Sequence, residues 1–131
     1  MRFFKHFTIG IMSLLLFKCT NVDKNDLIGT YKVMNNVNTI DTLRVLKNGK
    51  YQRGLYRKVD KSLIYKHQGS WNYENGMIDI EDFFMDTDRE YGNKKGGFKE
   101  SSMDCIFEVE TIFGRIYIGK KISGIYLYVK L

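Results

Sequence analysis

The stretch Gly69-Ser70-Trp71-Asn72-Tyr73-Glu74-Asn75-Gly76-Met77-Ile78-Asp79-Ile80-Glu81 reads as a β-hairpin. Asn75 and Gly76 both tolerate positive φ, which a two-residue turn of type I′ demands. Before the turn, Trp71 and Tyr73 share one face of an extended segment. After it Ile78 and Ile80 share a face, while Asp79 and Glu81 point the other way, because side chains alternate along a strand.

The same alternation recurs upstream. Over Gly29 to Met34, Tyr31 and Val33 oppose Thr30 and Lys32; over Ile40 to Lys47, Leu43 and Val45 oppose Thr42 and Arg44. Asn48-Gly49 follows, so a second type I′ hairpin is expected to return the chain as Tyr51 to Tyr56. A strand around Leu63 to Lys66 runs into the Trp71 strand, with a bulge expected at Gly69. Downstream come Asp104 to Glu110, Arg115 to Gly119 and Gly124 to Lys130; in the last, Ile125, Leu127 and Val129 alternate with Tyr126, Tyr128 and Lys130. No window sustains a helical apolar repeat. Short stretches every ten residues or so predict an all-β domain: an antiparallel up-and-down barrel of about eight strands, which leaves no open edge, with a two-sheet sandwich as the alternative.

Residues 1 to 18 have the grammar of an export signal. A basic start containing Arg2 and Lys5 leads into the uncharged run Phe7 to Phe17. Eleven residues are too few to cross a hydrocarbon core that takes about 20 as a helix, but they suit a signal peptide. Leu14-Leu15-Leu16-Phe17-Lys18-Cys19 resembles a bacterial lipoprotein signal, which implies lipidation of Cys19. Lys18 stands where that signal favours a small residue, so a plain secretory signal and an uncleaved anchor are the alternatives. The expected organisation is a signal over 1–18, a polar tether over 19–26 and a barrel over 27–131. The resemblance places the protein in the cell envelope, lipid-anchored, with the outer membrane as the expected site and a periplasmic or surface-facing orientation.

Leu27-Ile28-Gly29-Thr30-Tyr31, Asp41-Thr42-Leu43 with Asn48-Gly49-Lys50-Tyr51, and Gly69-Ser70-Trp71-Asn72-Tyr73 with Ile78-Asp79-Ile80 together resemble the lipocalin-like small lipoproteins of Bacteroidetes-type bacteria. That resemblance implies a short barrel with an aromatic after each Gly-x pair. Tyr31, Trp71, Tyr73, Tyr126 and Tyr128 become the candidate ligand contacts, supplying ring area and, from the tyrosines, hydroxyl direction. Two functions are weighed: binding of a small apolar or amphipathic ligand in the barrel mouth, and binding of an envelope protein through the outer faces and the 85–102 loop.

Chemistry is sparse elsewhere. The 131 residues carry 21 Lys and Arg against 15 Asp and Glu, and the excess is scattered rather than gathered into a stripe, so no nucleic-acid partner is expected. The 85–102 loop holds Asp86, Asp88 and Glu90, but its glycine and its twelfth position do not match a calcium loop. Gly92 to Gly97 lacks phosphate-loop spacing. Asp79 and Glu81 read as solvated carboxylates, His67 has no second histidine in the exported part, and Cys105 reads as a small buried hydrophobe. No catalytic residue, metal or cofactor is expected, and the chain is expected to be a monomer.

Overall fold

The computed structural model describes residues 22–84, 87–88, 102–119 and 128–131. A 3-10 turn, Lys24–Leu27, precedes eight strands: β1 (Gly29–Val33), β2 (Thr39–Val45), β3 (Lys50–Arg57), β4 (Leu63–Glu74), β5 (Met77–Phe83), β6 (Met103–Ile112), β7 (Arg115–Ile118) and β8 (Tyr128–Lys130). Every neighbour pair is antiparallel, and β8 pairs back onto β1, so the sheet is a closed up-and-down barrel and not a sandwich. Closure gives each strand two partners and leaves no unpaired edge.

Alternation sets what lies inside. Tyr31, Leu43, Val45, Tyr51, Leu55, Ile78, Ile80, Phe83, Ile118 and Tyr128 are almost wholly shielded from solvent. Each fully buried aliphatic or aromatic side chain contributes about 1.5–3 kcal/mol. The expected faces of β1, β2 and the Trp71 hairpin are all present, with Trp71 opposite Ile80 and Tyr73 opposite Ile78. In the last strand Tyr128 faces inward, paired with Val33 and Ile118, while Val129 pairs with Lys32 and Tyr117 on the other face. Both residues are buried, although Val129 lies outside the core cluster.

The turns partly depart from expectation. Asn75 and Gly76 both have positive φ, +53° and +75°, as type I′ requires. At Asn48-Gly49 only the glycine does, at +74°, and the Leu46 amide donates to the Lys50 carbonyl at 2.9 Å. Lys47, Asn48 and Gly49 therefore form a three-residue loop with a left-handed glycine, and the Asn48 side chain accepts from the Lys50 amide at 3.1 Å. A third tight turn, Phe113-Gly114, joins β6 to β7 with φ of +49° and +74°. The sequence did not announce it, because a phenylalanine in the left-handed region costs about 1–2 kcal/mol.

Gly69 is not a bulge. It pairs regularly with Tyr51, and the register shift lies at Leu55/Tyr56, opposite Tyr65 and Leu63. What Gly69 supplies is room: a Cβ built on it would fall 2.5 Å from Tyr51 Cε1. The Tyr51 ring lies across the glycine, and its hydroxyl donates to the Glu81 carbonyl. Gly69→Ala is expected to lower the unfolding free energy by about 1–3 kcal/mol through overpacking, read as a lower urea midpoint at unchanged slope. An unmoved midpoint would contradict this close approach.

Candidate functional site

Up-and-down closure gives the barrel two unlike ends. The links β2–β3, β4–β5 and β6–β7 are tight turns at one end, where β1 begins and β8 finishes. The links β1–β2, β3–β4, β5–β6 and β7–β8 lie at the other. This long-loop end contains the most organised polar chemistry in the described residues.

Asp41 on β2 and Arg53 on β3 both occupy inward positions. Arg53 grips Asp41 through two bonds, Nε to Oδ1 at 3.1 Å and Nη2 to Oδ2 at 2.7 Å, and both side chains are at most 1% exposed. Tyr128 donates its hydroxyl to the same Asp41 Oδ1 at 2.8 Å. Arg53 also donates to the Phe84 carbonyl at 2.7 Å and the Thr87 hydroxyl at 3.3 Å, and its guanidinium lies 4.0 Å from the Phe83 ring centre. The segment leaving β5 is thus drawn over the barrel's end.

Asp88 completes the closure. Its carboxylate accepts from the amides of Val37, Asn38 and Thr39 and from the Thr39 hydroxyl, at 2.8–3.0 Å. Burial pushes this carboxyl up, but the Thr39 hydroxyl and the three amides outweigh burial and hold it below the ordinary aspartate value. Beside the ion pair, His67 stacks on Tyr65 at 5.6 Å and meets Tyr51 and Phe84 edge-on. Its Nε2 is buried with no hydrogen-bond partner among the described residues.

The sequence-derived candidates are spread through this frame. Tyr31 is wholly buried towards the tight-turn end, its hydroxyl donating to the Leu27 carbonyl at 2.6 Å; burial, helped by Asp26, pushes its phenol far up. Trp71 is buried there too, with Nε1 on the Leu46 carbonyl at 3.0 Å and Lys24 Nζ 5.4 Å from its ring. Tyr73 is half-buried against the core. Tyr128 belongs to the opposite end, on Asp41. Cys19 and Tyr126 lie outside the described residues. Cys105 is a buried free thiol pushed up mainly by burial. Among the described residues no three His, Cys, Asp or Glu side chains gather where a metal ion could sit.

The outer wall divides by charge. Outward positions of β1 to β4 carry Lys32, Arg44, Lys50 and Lys66, and a recess of about 250 Å³ opens there around Gly54 and Tyr56. Outward positions of β5 and β6 carry Asp79, Glu81, Glu108 and Glu110, interspersed with Met77 and Ile106, which are 44% and 66% exposed. One oxygen of Asp79, Oδ1, is covered yet accepts no hydrogen bond among the described residues. No family model, curated protein or solved structure matches this chain.

Neither Asp41 nor Arg53 stands out in the sequence as a site residue, and Asp88 stands out only as one acid of a loop that does not match calcium-loop spacing. The available signal was a charge on an inward face: Asp41 precedes Leu43 and Val45 at two-residue spacing, and Arg53 stands between Tyr51 and Leu55. Two changes probe this end. Asp41→Asn, which leaves a buried guanidinium without its counter-charge, is expected to cost about 3–5 kcal/mol in urea unfolding, with Asp41→Leu/Arg53→Met recovering much of it. Because the Asp88 carboxyl is depressed on folding, its contribution is present above the unfolded value near 3.9 and lost as pH falls through the folded value. Asp88→Asn should therefore lower stability at neutral pH and flatten the acid limb of the stability–pH profile; an unchanged limb would contradict the assignment.

Proposed function

We propose that this protein is a lipid-tethered envelope module that binds a protein partner through the outer wall of β5 and β6 and the adjoining 85–102 loop. The observation that carries this reading is where ring and apolar area is available. Tyr31 and Tyr128 are 0% exposed and hydrogen-bonded to their own chain, so a ligand entering the barrel would compete with the core. By contrast, Ile106 and Met77 stand diagonally adjacent on an outer wall, and Asp79, Glu81 and Glu108 surround them. An apolar centre with a charged rim is the anatomy of a protein interface, and carboxylates at the rim select a basic partner. In sequence the 85–102 stretch links these same two strands. The tether rests on the uncharged run Phe7 to Phe17, which is followed by Lys18 and Cys19.

A photoreactive benzoyl-phenylalanine at Ile106, introduced in the native host, is expected to give one discrete protein adduct. The adduct should disappear on charge reversal at Glu108 and be absent when the probe replaces Thr30 on the opposite wall. Equal labelling from both walls, or a small molecule retained in native mass spectrometry with no adduct at Ile106, overturns the reading.

A further inference from the structure

We propose that the Phe113-Gly114 turn is a membrane-contacting wedge that seats the tight-turn end of the barrel on the lipid surface. This rests on the tethering of Cys19 put forward above.

The turn is anomalous when set beside its neighbour. Phe113-Gly114 and Asn75-Gly76 have nearly the same backbone, with first-residue φ of +49° and +53°. Asparagine suits that geometry, since its short polar side chain tolerates the left-handed region; phenylalanine does not. The Phe113 ring is fully exposed, at 105% of the reference value, so burial within its own chain does not compensate for the strain. A strained backbone that holds an aromatic ring out in solvent points to a function outside the fold.

Its surroundings identify what lies there. A recess of about 600 Å³ separates the turn from both ends of the barrel chain and is lined by Val22, Asp26, Phe113, Arg115, Lys130 and Leu131. Leu131 is itself 76% exposed, giving a second apolar group at the same end. Val22 follows Cys19 by three residues, and three residues span at most about 10 Å. A lipid on Cys19 therefore holds the membrane surface within about that distance of the recess. An aromatic ring flanked by a long basic side chain, here Arg115, suits the headgroup boundary, where the ring enters and the cation reaches phosphate. Lys130 is already committed in part, donating to the Asp26 carbonyl at 2.6 Å. With this end against lipid, the long loops and the Asp88 closure face away from the membrane.

The test uses the full lipidated chain in phosphatidylethanolamine/phosphatidylglycerol vesicles with brominated acyl chains. Trp71, the sole tryptophan, is in the core and sets the baseline in the wild type. Phe113→Trp adds a reporter at the turn, and Val59→Trp adds one at the opposite end, where Val59 is 97% exposed between β3 and β4. The protein is expected to float with vesicles, Cys19→Ala is expected not to, and bromine should quench the Phe113→Trp emission at least about twofold more than the Val59→Trp emission, as for a side chain about 5–10 Å into the interface. Flotation with equal quenching of the two reporters overturns the wedge and leaves the tether standing. Flotation with a Phe113→Trp reporter shielded from aqueous iodide but not quenched by bromine assigns the turn to a protein contact, which also overturns it. Wild type that fails to float overturns the tether and the wedge together.

Discussion

Everything at the long-loop end depends on one buried ion pair. The register of β2 against β3 makes Asp41 and Arg53 diagonal neighbours on the inner face, and neither could be left alone in that environment without a penalty of several kcal/mol. Their remaining polar capacity draws in Tyr128 from β8 and the chain at Phe84 and Thr87. The pair thus ties the last strand to the second and third and holds the exit from β5 across the barrel. A hydrophobic triad could fill the same volume, but it would not fix direction; one bidentate pair of bonds and a phenol do, since each geometry is specific. Asp88 continues the closure outward by accepting the amides of the β1–β2 loop.

The tight-turn end is closed by different means. Leu27, from the 3-10 turn, is wholly buried, and its carbonyl takes the Tyr31 hydroxyl. Trp71 bonds the Leu46 carbonyl at the first hairpin, and the Tyr51 ring passes close over Gly69. Aromatic rings with a polar tip suit this task because the body fills the core while the tip satisfies a strand-end carbonyl. Tyr31, Tyr51, Trp71, Arg53 and Tyr128 thus reach into the interior from both ends with partners of their own. On the exterior, β1 to β4 carry Lys32, Arg44, Lys50 and Lys66, while β5 and β6 combine carboxylates with exposed Met77 and Ile106, the wall proposed above for recognition.

The barrel was legible in the sequence because alternation is a local property: Tyr31/Val33, Leu43/Val45 and Ile78/Ile80 each announce their inward face within three residues. Asn75-Gly76 was equally legible, since both residues suit one turn type. Asn48-Gly49 suggests a two-residue turn, but the dipeptide does not record that Lys47 joins the loop. Gly69 suggests a bulge, whereas its role is to admit a ring from β3, which only the pairing of Tyr51 with Gly69 reveals. The ion pair stayed hidden for the same reason. Asp41 and Arg53 each break a local apolar pattern, and they make sense only once β2 and β3 are in register. Phe113 ran against its own propensity, so no turn rule could locate it.

The central claim is that the barrel's interior belongs to its own side chains and that recognition happens outside. Titration of the folded protein with the apolar fluorophore 1-aminoanthracene tests this most directly. The account expects weak, non-saturating emission that is unchanged in Asp41→Asn at a pH and temperature where that variant remains folded. Saturable one-to-one binding, competed by other apolar molecules, would show an occupied mouth and contradict it.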